Sequence, residues 1–384
     1  MQEKNIQELL LQQNLQKALV ERGDLTRLAM VMRKADRGER VNLCFLGGSI
    51  TQGCLASSEK NCYAYLTYQW WKHDFPNSDI HYWNAGIGAT DSRYGAVRTK
   101  QDVLSKDPDI VFIEFSVNDE ETLEFEESYE GIIRQILSFR LDTAVILIHN
   151  MYYDSGKSAE KIHHCLGTYY HLPCISIKNV LYQYIQEKKL ACEDITGDGL
   201  HPNDLGHRMV AAIIGECLTE MKQQCEHMYN PEAMELKESL PLPMTDNVWE
   251  CTKIYNSQDY IFTLKGFERD PHQKKAYLDI LSNGFMGKNV GDSISFTVSG
   301  TTIAVQYKKS IHKPVPVAVA VIDGKQDEAV TLDGNFTETW GDKLELTTIL
   351  LHGQPSRHQV VIQITEAHPD DQEAFYLTSV IASE

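Results

Sequence analysis

The chain is short of positive charge, of paired cysteines and of long apolar runs. It carries 36 Lys and Arg against 54 Asp and Glu, a formal net charge of −18. Nucleic acid and anionic membrane surfaces are held by clustered positive charge, so this balance argues against both as partners. No uninterrupted apolar run approaches the ~18 residues that a membrane-spanning helix needs. The stretch Met1–Gln7 lacks a basic segment leading into an apolar core, so no secretory signal is expected. The nine cysteines are scattered from Cys44 to Cys251, their count is odd, and no CxxC pair occurs. Reduced thiols in a cytoplasmic protein are the expectation, not a disulfide framework. Neither an internal repeat nor a low-complexity tract is present. His163, His164 and Cys165 have metal-ligating chemistry, but three consecutive helical residues point in different directions. No metal and no cofactor is expected.

What is present centres on Val41–Gly53. The apolar run Leu43–Leu46 stops at Gly47-Gly48, and Ser49-Ile50-Thr51 follows. This reads as a buried strand ending in a tight turn that presents one hydroxyl at the strand's carboxyl end. Open α/β sheets place their ligands at that edge. Ser49 reads equally as a nucleophile or as the N-cap of a helix.

Strand and helix signals alternate from there. Strands are expected at 42–46, 80–84, 109–116, 144–148 and 174–177. Helices are expected at 63–75, 93–104, 125–140, 159–171, 179–188 and 204–222. Such alternation builds a parallel sheet covered on both faces. Residues 1–40 read as N-terminal amphipathic helices, with apolar positions 9, 10, 15, 19 and 20 near helical spacing. Residues 226–244 contain Asn230-Pro231 and Pro241-Leu242-Pro243 and read as a linker. From 245 to 384 short alternating segments, 293–298, 302–307, 315–322 and 359–364, are separated by Asn283-Gly284, Ser299-Gly300, Asp323-Gly324 and Asp333-Gly334. That pattern indicates an all-β sandwich or jelly roll.

Polar signals fall at the carboxyl ends of the strands: Ser49, Asn84–Thr90, Val117-Asn118-Asp119 and Asp198-Gly199-Leu200-His201. Each alone is weak. Together they supply what acyl transfer needs. A serine requires a base, and His201 is the one histidine in a Gly- and Pro-flanked loop close to a carboxylate. Asp198 is placed to accept the Nδ1 proton and leave Nε2 for Ser49. The Ser49 amide, an amide from the Gly86/Gly88 turn and the Asn118 side chain form a candidate oxyanion hole. Lesser readings attach to His149 (a structural hydrogen bond), to Asp91 and Arg93 (a helix cap) and to Trp70-Trp71 (core).

The four blocks Gly47-Gly48-Ser49-Ile50-Thr51, Asn84–Thr90, Val117-Asn118-Asp119 and Asp198-x-x-His201 resemble, in order, those of the SGNH (GDSL-type) hydrolases. The resemblance covers residues 40–222. It implies a flavodoxin-like, three-layer domain (41–225) with a five-stranded parallel sheet. It also implies Ser49 as nucleophile, Asp198 and His201 as its relay, and Ser49, Gly88 and Asn118 as oxyanion donors, with Gly86 second to Gly88. Gly48 stands where the commoner pattern has Asp, and the second block is one residue short. A GGSIT block joined to a β-sandwich at 245–384 is similar to bacterial esterases that deacetylate plant glycans and carry carbohydrate-binding modules. The resemblance therefore implies O-deacetylation of manno- or xylo-oligosaccharides. The alternatives are a lipase, lysophospholipase or general carboxylesterase, and a glycan-binding protein without turnover. The β domain and the N-terminal helices offer surfaces for a homodimer.

Overall fold

A computed structural model describes residues 15–227, 239–272, 275 and 278–383. The chain divides into two compact units, Met1–Asn247 and Val248–Glu384.

The first unit is built on strands β1 (Leu19–Glu21), β2 (Val41–Gly47), β3 (Ile80–Gly86), β4 (Ile110–Glu114), β5 (Ala144–His149) and β6 (Cys174–Ser176). They lie in the order β1-β6-β5-β4-β2-β3. β2 to β6 are mutually parallel, and β1 runs antiparallel to β6. Strand order reverses at β2, which pairs with both β3 and β4. Ligands collect at the carboxyl ends of strands around such a reversal. Central strands β4 and β5 are buried at every residue. That accounts for their continuous apolar runs, because a strand covered on both faces shows no alternation.

Helices Thr26–Asp36, Tyr63–Asp74 and Asp204–His227 pack together, and so do Ser92–Asp102, Leu123–Phe139 and Glu160–Tyr169. Trp71 and Phe75 fill the core between sheet and helices. Phe45 on β2 stacks on Phe112 of β4 with ring centroids 4.6 Å apart.

Two expectations change here. The sheet has a sixth strand, and Leu19 and Val20, read as helical, belong to it. Three residues are too few for helical spacing to outweigh pairing with the otherwise open edge of β6. The expected helix positions 9 and 10 lie outside the described residues. The segment marked as linker is in part docked. Its first residues, 226–227, end the helix Asp204–His227. Farther on, Arg134 donates to the Pro241 carbonyl at 2.8 Å, Tyr169 to that of Leu242 at 2.9 Å, and Met244 N–H to Glu130 Oε1 at 2.6 Å.

The second unit holds two antiparallel sheets, β15-β12-β17-β10-β9 with β7 added to β17, and β14-β13-β16-β11-β8. Here β7 is Thr252–Tyr255, β8 Thr263–Lys265, β9 Glu268–Arg269 and β10 Phe285–Gly287. β11 is Ser293–Gly300, β12 Thr302–Lys309, β13 Val317–Ile322 and β14 Val330–Asp333. β15 is Lys343–Leu350, β16 Ser356–Glu366 and β17 Phe375–Ser383. Phe262, Phe267, Phe285, Phe296 and Phe375 meet in its core. β17 escapes sequence patterning because all its residues are buried.

Candidate active site

β2 delivers the chain to Gly47 at the carboxyl edge, and Ser49–Gln52 forms one helical turn directly after it. The turn is tied down from several sides. Buried Arg98 donates to the Ala85 carbonyl at 2.6 Å and to the Gly47 carbonyl at 3.0 Å, joining the ends of β2 and β3. Asn84 donates through Nδ2 to the Thr51 carbonyl at 2.7 Å and accepts from Gly86 N–H at 2.8 Å. Thr51 Oγ1 and Tyr63 OH share a hydrogen bond of 2.8 Å.

Gly48 has φ −88°, an angle any residue adopts. Its necessity comes from a neighbour: a Cβ there would lie 2.2 Å from Asn118 Oδ1. The glycine makes room for the asparagine of the third block. The turn's own backbone does not demand it.

The loop Thr196–His201 approaches from the other side. Asp198 Oδ1 accepts from Leu200 N–H at 2.9 Å and His201 N–H at 2.7 Å. His201 Nδ1 donates to Asp198 Oδ2 at 2.6 Å. Ser49 Oγ donates to His201 Nε2 at 2.8 Å. Residues 152 positions apart in the chain thus form a continuous relay from hydroxyl to carboxylate.

Burial pushes the Asp198 carboxyl up. Hydrogen bonds from the His201 side chain and backbone and from Leu200 outweigh it and hold the group at about 2. Burial lowers the His201 imidazole. The Cys54 and Asp198 side chains outweigh that and push it up to about 9. The Asp198 carboxylate thus stabilises the imidazolium that His201 becomes once its neutral form has taken a proton at Nε2.

The oxyanion candidates sit around the same corner. Gly88 lies beside Ser49: a Cβ on Gly88 would stand 3.8 Å from the Ser49 Cβ. Its N–H donates to Gln52 Oε1 at 2.7 Å. The Gly86 amide is used internally by Asn84. Asn118 lies against Gly48, and its Oδ1 is buried with no hydrogen-bond partner among the described residues. Next to it, Asp119 accepts from Ser92 N–H at 2.9 Å and shares a hydrogen bond of 2.9 Å with His163 Nε2.

Asp91 caps the helix Ser92–Asp102, accepting from Arg93 and Tyr94 N–H, and pairs with the Arg93 guanidinium at 2.6 Å. Trp71 is fully buried and Trp70 packs edge-on against it at 5.7 Å. His163 turns inward onto Asp119 while Cys165 is exposed, so those two do not converge. His149 corrects an expectation. It is buried, neither ring nitrogen has a hydrogen-bond partner among the described residues, and burial drives its pKa well below the ordinary value. It is a neutral core residue.

Sequence reasoning missed Gln52, Arg98 and the Asp119–His163 pair. Arg98 sits in Arg-Thr-Lys, a string that reads as helix surface. Asp119 and His163 lie 44 residues apart, and no local spacing links them.

The model of the GDSL-like lipase/acylhydrolase family matches residues 45–209. No curated protein matches the chain. Among solved structures, a two-domain esterase (CEX) active on acetylated mannans is 42% identical, with a TM-score of 0.91, covering 97% of this chain and 98% of that one. The same esterase co-crystallized with mannopentaose gives 42% identity and a TM-score of 0.90 over 97% and 98% of the two chains.

Proposed function

Because the chain belongs to the GDSL-like lipase/acylhydrolase family, we propose that it is a serine esterase that removes O-acetyl groups from manno-oligosaccharides. The observation that carries the substrate is the likeness to the mannan-active esterase over 97% of the chain, both units included. The reaction is read from the Ser49–His201–Asp198 relay.

In this reading Ser49 Oγ attacks the acetyl carbonyl while His201 Nε2 takes its proton, over the 2.8 Å bond already formed. Asp198 holds the imidazole in the Nδ1–H tautomer and stabilises the cation that forms. The negative charge on the carbonyl oxygen is met by the Ser49 and Gly88 amides and the Asn118 side chain. His201 returns the proton to the departing sugar hydroxyl. An acetyl-Ser49 intermediate remains, and water activated by the same imidazole hydrolyses it.

The test is release of acetate from acetylated manno-oligosaccharides, with Ser49→Ala in parallel. Turnover of long-chain lipid esters without acetate release would favour the lipase alternative. Glycan binding without turnover of any ester would favour the binding-protein alternative. We place the protein in the cytoplasm. All nine cysteines are free, which suits a reducing compartment, and fractionation of the producing cell tests this. No helix among the described residues is long and apolar enough to cross a membrane.

A further inference from the structure

Gln52 belongs to the helical turn that carries the nucleophile, three residues after Ser49. Its backbone is fixed. Its N–H donates to the Gly48 carbonyl at 3.0 Å, and the turn of the second block presses against it, since a Cβ on Gly86 would lie 2.2 Å from Gln52 N. Its side chain is different. It is exposed, and its carboxamide oxygen accepts from Gly88 N–H at 2.7 Å. This is the amide read above as an oxyanion donor, and a carboxamide oxygen is chemically close to the carbonyl oxygen of an ester. One N–H serves one strong acceptor well. The acetyl oxygen therefore uses Gly88 only after Gln52 Oε1 has left it.

We infer that Gln52 is a built-in competitor for the oxyanion hole, its carboxamide oxygen holding the Gly88 donor in the resting enzyme until the substrate carbonyl displaces it. The inference rests on the reading of Ser49 as nucleophile and Gly88 as donor. Displacement needs only side-chain rotation, which for an exposed residue is fast compared with turnover. The barrier it adds is the loss of one hydrogen bond at a surface site. In rate this is about a two- to ten-fold handicap. The developing oxyanion overcomes it, because a charged acceptor binds an amide more strongly than a neutral carboxamide does. While Gln52 is in place, the Gly88 amide also keeps a partner.

The experiment compares Gln52→Ala, Gln52→Asn and Gln52→Glu with the unaltered chain and with Ser49→Ala. Two readouts are used: turnover of p-nitrophenyl acetate, and the rate of inactivation by diethyl p-nitrophenyl phosphate. In the second, a bond forms from Ser49 Oγ to phosphorus, the bond from phosphorus to the aryl oxygen breaks, p-nitrophenolate leaves, and the serine proton passes to His201. The phosphoryl oxygen enters the oxyanion site. Ala removes the competitor, and Asn is one methylene too short to reach Gly88. Both are expected to raise kcat/KM and the inactivation rate about two- to ten-fold. Glu places a stronger, charged acceptor on the same amide and is expected to lower both. Unchanged or slower reaction in Ala and Asn would overturn the inference and make Gln52 a support for Gly88. If Ser49→Ala keeps its turnover, the reading of the site has failed instead, and the two failures are told apart by that variant.

Discussion

Two of the Asp–His pairs in the first unit are similar in length and opposite in charge state. His201 and Asp198 meet at 2.6 Å with side chains 18% and 45% exposed. His163 and Asp119 meet at 2.9 Å with both side chains at 0%. In the first pair hydrogen bonds outweigh burial, and the pKa values are driven apart, to about 9 and about 2. In the second, burial dominates. It lifts the Asp119 carboxyl well above its ordinary value and drops the His163 imidazole to about 3. His163 also stacks face to face on Tyr129, centroids 3.7 Å apart, in a setting with little to solvate a cation. Having the same two residue types in contact does not decide their chemistry. Access to water does, because removing a charge from water costs more than one partner returns unless geometry and further hydrogen bonds compensate. The exposed pair is suited to moving a proton, and the sealed pair to holding the third block against the helix that follows the second.

That contrast can be broken most severely at the relay itself. Ser49→Ala and His201→Ala are expected to lower kcat/KM for p-nitrophenyl acetate by at least about 10⁴-fold, and Asp198→Asn by about 10³–10⁴-fold. Steady-state kinetics with circular dichroism to verify folding is the measurement. A His201→Ala enzyme within ten-fold of the original would remove the exposed pair from catalysis.

A smaller loss is expected at Gly48→Val. The new side chain meets Asn118, whose Oδ1 lies 2.2 Å from the ideal Cβ position. On the proposal that Asn118 is an oxyanion donor, its displacement should lower kcat by about 10²–10³-fold. The thermal midpoint should move far less than the rate, and a fully active variant would show that Asn118 is not needed where it stands.

The sealed pair should answer in stability. Asp119→Ala orphans Ser92 N–H and buried His163, at about 1–3 kcal/mol for each group, so a loss of about 2–6 kcal/mol is expected in urea unfolding. Asp119→Asn keeps an acceptor for Ser92 and should lose much less. A stability unchanged in Asp119→Ala would mean that the buried pair holds nothing.

The finest test is titration. His201 must be neutral to act as a base and its pKa is raised, so kcat/KM should climb with pH through a value above the ordinary 6.5. Asp198→Asn should move that limb to lower pH. The stability that His201 contributes is fully present below its unfolded value and is lost as pH rises through the folded one. That of Asp198 is present above its unfolded value and is lost as pH falls through about 2. Imidazole NMR resonances should show His201 titrating above 6.5 and His163 still neutral at pH 5. A His163 that protonates in step with His201 would erase the contrast.

Much of the fold was legible in the chain. The alternation of apolar runs with helical segments anticipates the parallel strands because a strand buried on both faces must be apolar throughout. It fails where segments are short or patterning is masked. Leu19–Glu21 is three residues long, and its state is set by the edge of β6. Phe375–Ser383 is buried along its whole length and shows no period of two. The site was legible where its residues are close in sequence, as in Asp198-x-x-His201 or Gly48-Ser49. It was illegible where one side chain reaches across blocks, as Arg98 does to Gly47 and Gln52 to Gly88.

By itself the sequence determined which residue types stand at the ends of which strands. Strand ends, turn glycines and short spacings are local properties of a chain, and they are enough to put Ser49, Asn118 and the Asp198–His201 loop at one sheet edge. Only the tertiary structure decided what each of those residues meets there. It brings Ser49 to His201 across 152 positions, takes Gly48's missing side chain as the space for Asn118, and lays Gln52 on the amide of Gly88. It also decides which Asp–His pair is charged. Burial depends on the packing of the whole unit, and no stretch of a few residues encodes how much water will reach it.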